Sequence, residues 1–220
     1  MYPLPVGSIG VNVHLERALE RLSAENKLTA LPPRVSRAVG EAIQDAKWYL
    51  EWGTGGSTYL AAHLGVARFW SIESDPSWID EVRQDSFLAQ AERVGRLELR
   101  HVDLGEVGRW GWPKSPINDL QAVEYELSPV LNVLLEFEGQ PGVAFVDGRF
   151  RVACAAAGLG LLPLGSAVIV DDYVGRPHYE DLALWAGVPE IVGRAAKFVV
   201  DKVARKSWWV GWMQSRKDPR

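Results

Sequence analysis

The chain has 220 residues, 47% of them hydrophobic and 24% charged, which suffices for one globular domain with a full core. Its formal net charge of −4 disfavours nucleic acid as a partner, because binding to phosphates needs a basic face. The one cysteine, Cys154, excludes an internal disulfide, and its alanine neighbours indicate a small core residue in a reducing compartment. Residues 1–5 lack the basic and apolar regions of a signal peptide, so we expect a cytoplasmic protein.

One uncharged stretch, residues 152–170, approaches the length of a membrane-spanning helix. Three glycines and Pro163 interrupt it, and its last residues are rich in β-branched side chains. This pattern favours a helix, a turn and a buried strand, so we expect no membrane association.

Two helices open the predicted order of elements, and strands then alternate with helices. The predicted helices cover residues 13–22, 34–46, 57–64, 76–94, 131–137, 150–162 and 179–185, and the predicted strands cover residues 48–52, 67–72, 97–102, 143–146, 167–170, 196–200 and 208–213. Residues 105–116 are predicted to form an irregular loop. The alternation predicts an α/β fold: a Rossmann-like, doubly wound, mostly parallel seven-stranded sheet with helices on both faces and an antiparallel edge hairpin. We expect a single domain, with residues 1–47 as a helical cap and residues 48–214 as the core.

Glycines or carboxylates follow each of the first five predicted strands. They are the glycine loop after strand one, Glu73 and Asp75 after strand two, Asp103 after strand three, Asp147 after strand four, and Asp171 and Asp172 after strand five. Parallel strands deliver such residues to one rim of the sheet, where ligands of this fold class bind. The sequence therefore predicts a ligand site at this rim.

The loop at residues 51–58 reads Glu-Trp-Gly-Thr-Gly-Gly-Ser-Thr. A dinucleotide fingerprint would be Gly-x-Gly-x-x-Gly, but the third glycine position holds Thr58. Glu51, two residues before the first glycine, is unfavourable beside a pyrophosphate and suits a ligand with an ammonium group, such as the methionine part of S-adenosylmethionine.

This combination resembles the first motif of the class I S-adenosylmethionine-dependent methyltransferases, and the similarity covers residues 48–173. Together with the segments Val-Asp-Gly-Arg-Phe-Arg and Val-Asp-Asp-Tyr it is similar to a bacterial subgroup of that class. The resemblance implies that Glu73, with Asp75 as the fallback, holds the ribose hydroxyls and that Asp103 meets the adenine amine. It also implies a cofactor-binding loop made of Glu51, Gly53, Thr54, Gly55, Gly56 and Ser57.

Asp147, Asp171 and Asp172 match the metal-binding positions of catechol and caffeoyl-CoA O-methyltransferases, to which the chain is similar here. The resemblance implies a divalent cation such as Mg²⁺ as an optional second cofactor. Those enzymes have a lysine shortly after the first aspartate, whereas this chain has Gly148-Arg149-Phe150-Arg151. An arginine at this place either pairs with an aspartate where the metal would bind or holds an anionic substrate. The aspartates also have a structural alternative, because aspartates at strand ends often serve as turn and cap residues.

Asp147 and His178 are the candidate catalytic residues, His178 as a general base after strand five. A structural role at a helix start is the alternative for His178. Trp110 and Trp112 either stack on the ligand or pack in a lid.

The sequence favours a methyltransferase that uses S-adenosylmethionine and acts on a small-molecule acceptor, at oxygen. A non-catalytic S-adenosylmethionine-binding module is the alternative. A nucleotide-dependent oxidoreductase is disfavoured by Thr58. We expect a monomer or homodimer, with the acceptor pocket built by residues 1–47 and 104–140.

Overall fold

The computed structural model describes residues 12–218, so the first eleven residues of the predicted N-terminal cap lie outside it. Over this range the chain forms ten α-helices and seven β-strands, besides two short 3₁₀ helices at Arg109–Gly111 and Pro177–Tyr179. The helices are α1 Val13–Ala24, α2 Pro33–Ile43, α3 Gly56–His63, α4 Pro76–Val82, α5 Ser86–Arg93, α6 Asp119–Glu126, α7 Ser128–Phe137, α8 Arg151–Leu161, α9 Asp181–Ala186 and α10 Ala204–Ser215. The strands are β1 Tyr49–Trp52, β2 Phe69–Glu73, β3 Leu97–His101, β4 Val143–Val146, β5 Ala167–Val170, β6 Glu190–Val192 and β7 Ala195–Val199.

The seven strands form one sheet in the order β3-β2-β1-β4-β5-β7-β6. The first five strands are parallel, and β7 runs antiparallel to both β5 and β6. From β1 the chain builds outward to β2 and β3, and it then returns to place β4 on the other side of β1. A crevice therefore opens at the carboxyl ends of β1 and β4, which is where ligands bind in doubly wound sheets. The predicted sheet class, including its antiparallel edge hairpin, is confirmed.

Alternating side chains of the central strands feed two separate cores. Trp48, Leu50 and Trp52 pack on one face against buried residues of α6, α7 and α8. Tyr49 points to the opposite face, where buried residues of α1 to α5 cover the sheet. This two-residue alternation is what a strand buried on both faces requires.

Helices α1 and α2 belong to the second core, on the face of the sheet to which Tyr49 points. Their apolar stripes, represented by Leu15, Leu22, Val39 and Ile43, are buried in the same cluster as Leu60 of α3. Asn12 caps α1, because its side chain accepts hydrogen bonds from the amides of residues 14 and 15 at 3.2 and 3.1 Å.

Two predicted elements differ from the structure, and two observed elements were not predicted. The predicted helix 76–94 is two helices, because the Asp85 side chain accepts the amides of residues 87 and 88 and so starts α5 as a new helix. The predicted strand 208–213 lies inside α10, where Trp208 packs against Gly160 of α8. The hairpin is instead made of β6 and β7, and β6 was not predicted. Helix α6 was also missed, although Asn118 and Gln121 form a capping box at its start.

The uncharged stretch 152–170 is divided as predicted, into most of α8, a turn and β5. Cys154 is fully buried in α8, which confirms its assignment to the core. Within residues 12–218, no helix has both the length and the apolar character that crossing a membrane requires.

Candidate active site

The glycine loop after β1 and the turn after β4 are pressed together at the switch point of the sheet. Gly53 has a φ of +97°, and a Cβ there would lie 2.6 Å from the backbone nitrogen of Gly148. A Cβ on Gly148 would in turn lie 2.8 Å from the nitrogen of Gly53. Only glycines allow this backbone contact, which holds the two loops at a fixed distance. Gly55 is different, because no atom lies within 4 Å of its Cβ position, so its outer side faces open space.

Glu51 lies beneath the loop and is fully buried. Its carboxylate accepts hydrogen bonds from the hydroxyls of Tyr49 at 2.7 Å, Ser57 at 2.5 Å and Thr58. The Thr58 hydroxyl also accepts the amide of Gly55 at 2.8 Å, so Thr58 links the carboxylate to the loop backbone. Burial raises the pKa of Glu51.

This burial corrects the expected role of Glu51. All the hydrogen bonds of its carboxylate that the structure describes go to protein hydroxyls, and the side chain has no exposed surface for a ligand's ammonium group. Glu51 therefore braces the loop from below, and Ser57, itself buried, is one of its donors. Gly56 has a packing role, because a Cβ there would lie 3.0 Å from the carbonyl oxygen of Lys27.

Glu73 ends β2 beside the glycine loop. Its carboxylate accepts the amides of Thr54 at 3.2 Å, Ser74 at 2.7 Å and Asp75 at 3.0 Å. Burial raises the pKa of Glu73, while these amide donors oppose the rise. The loop is held from a second side by Trp78, whose indole N–H donates to the carbonyl of Thr54 at 2.9 Å. Glu73 thus lies against the glycine loop, and its contact with the ribose hydroxyls stays a prediction.

The other two acids predicted for the cofactor site are placed differently. Asp75 is the N-cap of α4, because its carboxylate accepts the amides of residues 77 and 78 at 3.0 and 3.4 Å. The cap role explains why an aspartate stands at position 75, with no need for a ligand to contact it. Asp103 is exposed after β3, and its carboxylate accepts the amide of Gly105 at 2.8 Å.

Residues 106–114, here called the 106–114 loop, fold back on themselves above the rim. The amide of Gly108 donates to the carbonyl of Trp112 at 2.7 Å, and that of Lys114 to Glu106 at 2.8 Å. The turn of this loop rests on Ser74, since a Cβ on Gly111 would lie 2.8 Å from the Ser74 hydroxyl oxygen. The ring of Trp112 lies 4.8 Å from the guanidinium carbon of Arg149, which follows β4. The loop therefore joins the rim after β2 to the rim after β4. Trp110, at its tip, is 66% exposed and has a φ of +62°.

Asp147, Asp171 and Asp172 are brought together as predicted, but arginines occupy the space between them. Arg151 pairs with Asp147 at 2.9 Å and with Asp172 at 3.1 Å. Asp171 is fully buried against Arg194. We call these residues, together with Arg176, which pairs with Asp172 at 2.7 Å, the aspartate–arginine cluster.

Burial raises the pKa of Asp147 to about 7, with the neighbouring aspartates adding to the rise and Arg151 opposing it. A divalent cation needs several carboxylate oxygens turned toward one point, and here they are turned toward guanidinium groups. Across residues 12–218 no group of three or more histidine, cysteine or acidic side chains is arranged to hold a metal ion. The donor set as it stands does not fit the predicted metal.

Arg194, which lies in the turn between β6 and β7, was not predicted from the sequence. The register supplies the explanation: Val170 of β5 pairs with Ala196 of antiparallel β7, so Arg194 lies level with Asp172. The nitrogens of Arg194 contact Asp172 at 3.0 Å and the carbonyl of Ala30 at 3.0 Å. The predicted hairpin used residues 208–213 in place of β6, so Arg194 could not be identified from the sequence as the partner of Asp171 and Asp172.

His178 lies in the 3₁₀ helix after β5 and is partly buried. Its ring packs edge-on against Tyr179, with centroids 4.6 Å apart, and Tyr179 also contacts the guanidinium of Arg176. His178 is thus connected to the aspartate–arginine cluster through Tyr179 and Arg176.

No protein-family model matches the chain, and no curated protein matches it. Among solved structures, it is similar to a methyltransferase-like protein from Silicibacter pomeroyi, with 28% identity over 86% of this chain and 96% of that one and a TM-score of 0.70. A methyltransferase from Geobacter sulfurreducens is 13% identical over 83% of this chain and 87% of that one, with a TM-score of 0.48. An RNA methyltransferase from Salinibacter ruber, solved with S-adenosyl-L-homocysteine, is 14% identical over 92% of this chain and 94% of that one, with a TM-score of 0.40. The first of these shares the fold over nearly all of both chains.

Proposed function

We propose that this chain, which has the fold of the class I methyltransferases, transfers a methyl group from S-adenosylmethionine to an oxygen of a small-molecule acceptor. One observation carries the proposal. At the switch point between β1 and β4, the Cβ position of Gly55 is open, and the carboxylate of Glu73 accepts the amide of the neighbouring Thr54 at 3.2 Å. Glu51 and Thr58 hold this loop in position from beneath.

The residues at this point fit S-adenosylmethionine. The backbone of residues 53–55 can approach the amino acid part closely, because Gly55 leaves its outer side open. Glu73 suits the ribose hydroxyls as a hydrogen-bond acceptor, since it ends β2 next to the loop. Asp103 is exposed at the end of the neighbouring strand and suits the adenine amine. Asp75 and Glu51 act indirectly in this proposal, by starting α4 and by bracing the loop.

S-adenosylmethionine, when bound, supplies an electrophilic methyl group on a sulfonium sulfur. The task of the protein is then to orient the acceptor oxygen in line with that methyl group and to receive the acceptor's proton. Asp147 follows β4 at the same crevice and keeps 28% of its side chain exposed beside its ion pair with Arg151. We assign the proton to Asp147 or to His178.

The cofactor assignment can be tested by calorimetry with S-adenosylhomocysteine. We expect one binding site per chain, and a loss of affinity of about tenfold or more for Glu73→Gln, because a charged hydrogen bond to the ribose is weakened. Glu136→Gln is the matched control: Glu136 pairs with Arg68 near the start of β2, at the opposite edge of the sheet. Equal loss in both variants, or no binding by the folded wild-type protein at high micromolar ligand, would refute the assignment.

A second candidate function is binding of S-adenosylmethionine without transfer. The observation in its favour is that guanidinium groups already engage the carboxylates at the crevice. Tritium transfer from labelled S-adenosylmethionine to panels of phenols, alcohols and carboxylic acids separates the two functions. Transfer to any panel member excludes the binding module, whereas tight binding without transfer to any of them favours it.

A further inference from the structure

The guanidinium of Arg151 is buried at the point where β4 and β5 end, with only 7% of its side chain exposed. Each of its three nitrogens has an oxygen partner. Nε donates to the carbonyl of Gly148 at 3.0 Å. One terminal nitrogen contacts the carbonyl of Asp171 and the carboxylate of Asp172, both at 3.1 Å. The other contacts the carbonyl of Asp147 at 2.8 Å and its carboxylate at 2.9 Å.

Arg151 thus donates hydrogen bonds to three backbone carbonyls and forms ion pairs with two carboxylates. They join the loop after β4 to the loop after β5, including Asp172, whose φ of +55° is unusual for a residue with a side chain. A single cation thus links the two loops, beside the backbone hydrogen bond from the Asp171 amide to the carbonyl of Val146 at 3.0 Å.

The charges in the aspartate–arginine cluster are balanced. Three carboxylates face three guanidinium groups, and Arg194 grips Asp171 through two nitrogens while it also reaches Asp172 at 3.0 Å. Carboxylates removed from water require such compensation. In a metal site a divalent cation provides it, with oxygen ligands converging on a single ion.

We propose that the Arg151 guanidinium permanently takes the place of a divalent cation in this crevice. The fixed cation neutralises the aspartates and positions the two loops. If the function proposed above is correct, methyl transfer then proceeds without a metal ion, and Arg151 is a positioning residue.

The test is Mn²⁺ binding, followed by electron paramagnetic resonance, with and without S-adenosylhomocysteine. We expect the wild-type protein to show no site tighter than about 100 µM, a value within the range of protein sites built from carboxylates. A tighter wild-type site that is lost in Asp172→Asn would overturn the proposal.

Arg151→Met removes the guanidinium and uncovers the carboxylates, so Mn²⁺ affinity is expected to rise at least tenfold over wild type. Arg68→Met is the matched control, because it removes an arginine from Glu98 and Glu136 outside the crevice, and we expect no such rise. If Arg151→Met does not fold, Arg151→Gln is judged by the same criterion, since glutamine also removes the charge but keeps an amide donor for the carbonyls of Gly148 and Asp147. A folded variant without the rise contradicts the proposal.

Binding of S-adenosylhomocysteine is measured on the same samples, and it separates the two claims. Absence of this binding together with absence of a Mn²⁺ site refutes the proposed function and leaves the assignment of Arg151 intact. Binding of both S-adenosylhomocysteine and Mn²⁺ by the wild-type protein supports the proposed cofactor and refutes the assignment of Arg151.

Discussion

Replacing Glu126 by glutamine is expected to remove a pH dependence from the stability of the fold. Glu126 ends α6 and is fully buried. Its carboxylate accepts the indole N–H of Trp212 in α10 at 2.8 Å and the amide of Lys217 at 3.2 Å. Burial raises the pKa of Glu126 from 4.5 to about 7, while these two donors and the nearby cationic side chains oppose the rise.

The size and sign of the effect follow from the two pKa values. Below pH 4.5 the carboxyl of Glu126 is protonated in both the folded and the unfolded chain, and its contribution to stability is complete. Between pH 4.5 and about 7 the unfolded chain releases this proton while the folded chain retains it, so the free energy of unfolding falls. A difference of about 2.5 pKa units corresponds to a total loss of about 3 kcal/mol above pH 7. Glutamine does not titrate, but its single carbonyl oxygen faces two donors, which costs about 1 kcal/mol at every pH.

Urea unfolding followed by circular dichroism at pH 5 and pH 8 measures this effect. We expect the stability of Glu126→Gln relative to wild type to improve by about 2 kcal/mol between pH 5 and pH 8. Glu124→Gln is the matched control, because Glu124 lies on the same helix but is exposed. A constant difference between wild type and Glu126→Gln across this range would refute the argument from burial.

Three substitutions test the glycine loop by calorimetry with S-adenosylhomocysteine and by urea unfolding. Gly55→Ala should leave the free energy of unfolding within about 0.5 kcal/mol of wild type, because the new methyl meets no atom, yet it should weaken binding by filling the ligand side. Gly148→Ala should instead lower stability by about 1–3 kcal/mol, since its methyl meets Gly53, and equal stability losses for the two alanine variants would contradict this. Thr58→Val should lower the free energy of unfolding by about 1–3 kcal/mol and also weaken binding, because Glu51 and the Gly55 amide both lose a hydrogen-bond partner. Unchanged binding by this variant would show that Thr58 does not hold the loop in position.

Much of the sheet could be predicted because its signals are local. Strands β1, β2 and β4 are short apolar runs bounded by glycines or carboxylates, and their carboxyl ends carry the residues that converge at the crevice. Thr58 stands where a dinucleotide fingerprint has glycine, and the sequence predicted only that dinucleotides are disfavoured. The structure adds its role, since its hydroxyl joins Glu51 to the Gly55 amide.

The remaining features depend on contacts between distant parts of the chain. Residues 208–213 have the composition of a strand, but Trp208 and Trp212 pack as part of a helix against α8 and Glu126. The partner of Asp171 lies 23 residues further along the chain, and only the β5–β7 register brings Arg194 to it. Asp75 matched the pattern of a ribose-binding acid, and the same residue type at a helix start also makes a good cap.

A crystal structure of the protein with S-adenosylhomocysteine tests the central claim most directly. We expect the amino acid part of the ligand to lie against the backbone of residues 53–55 and its ribose hydroxyls to lie within hydrogen-bond distance of Glu73. The Arg151 guanidinium should still lie between Asp147 and Asp172. A ligand bound away from the crevice between β1 and β4, or a ribose that leaves Glu73 untouched, would contradict it.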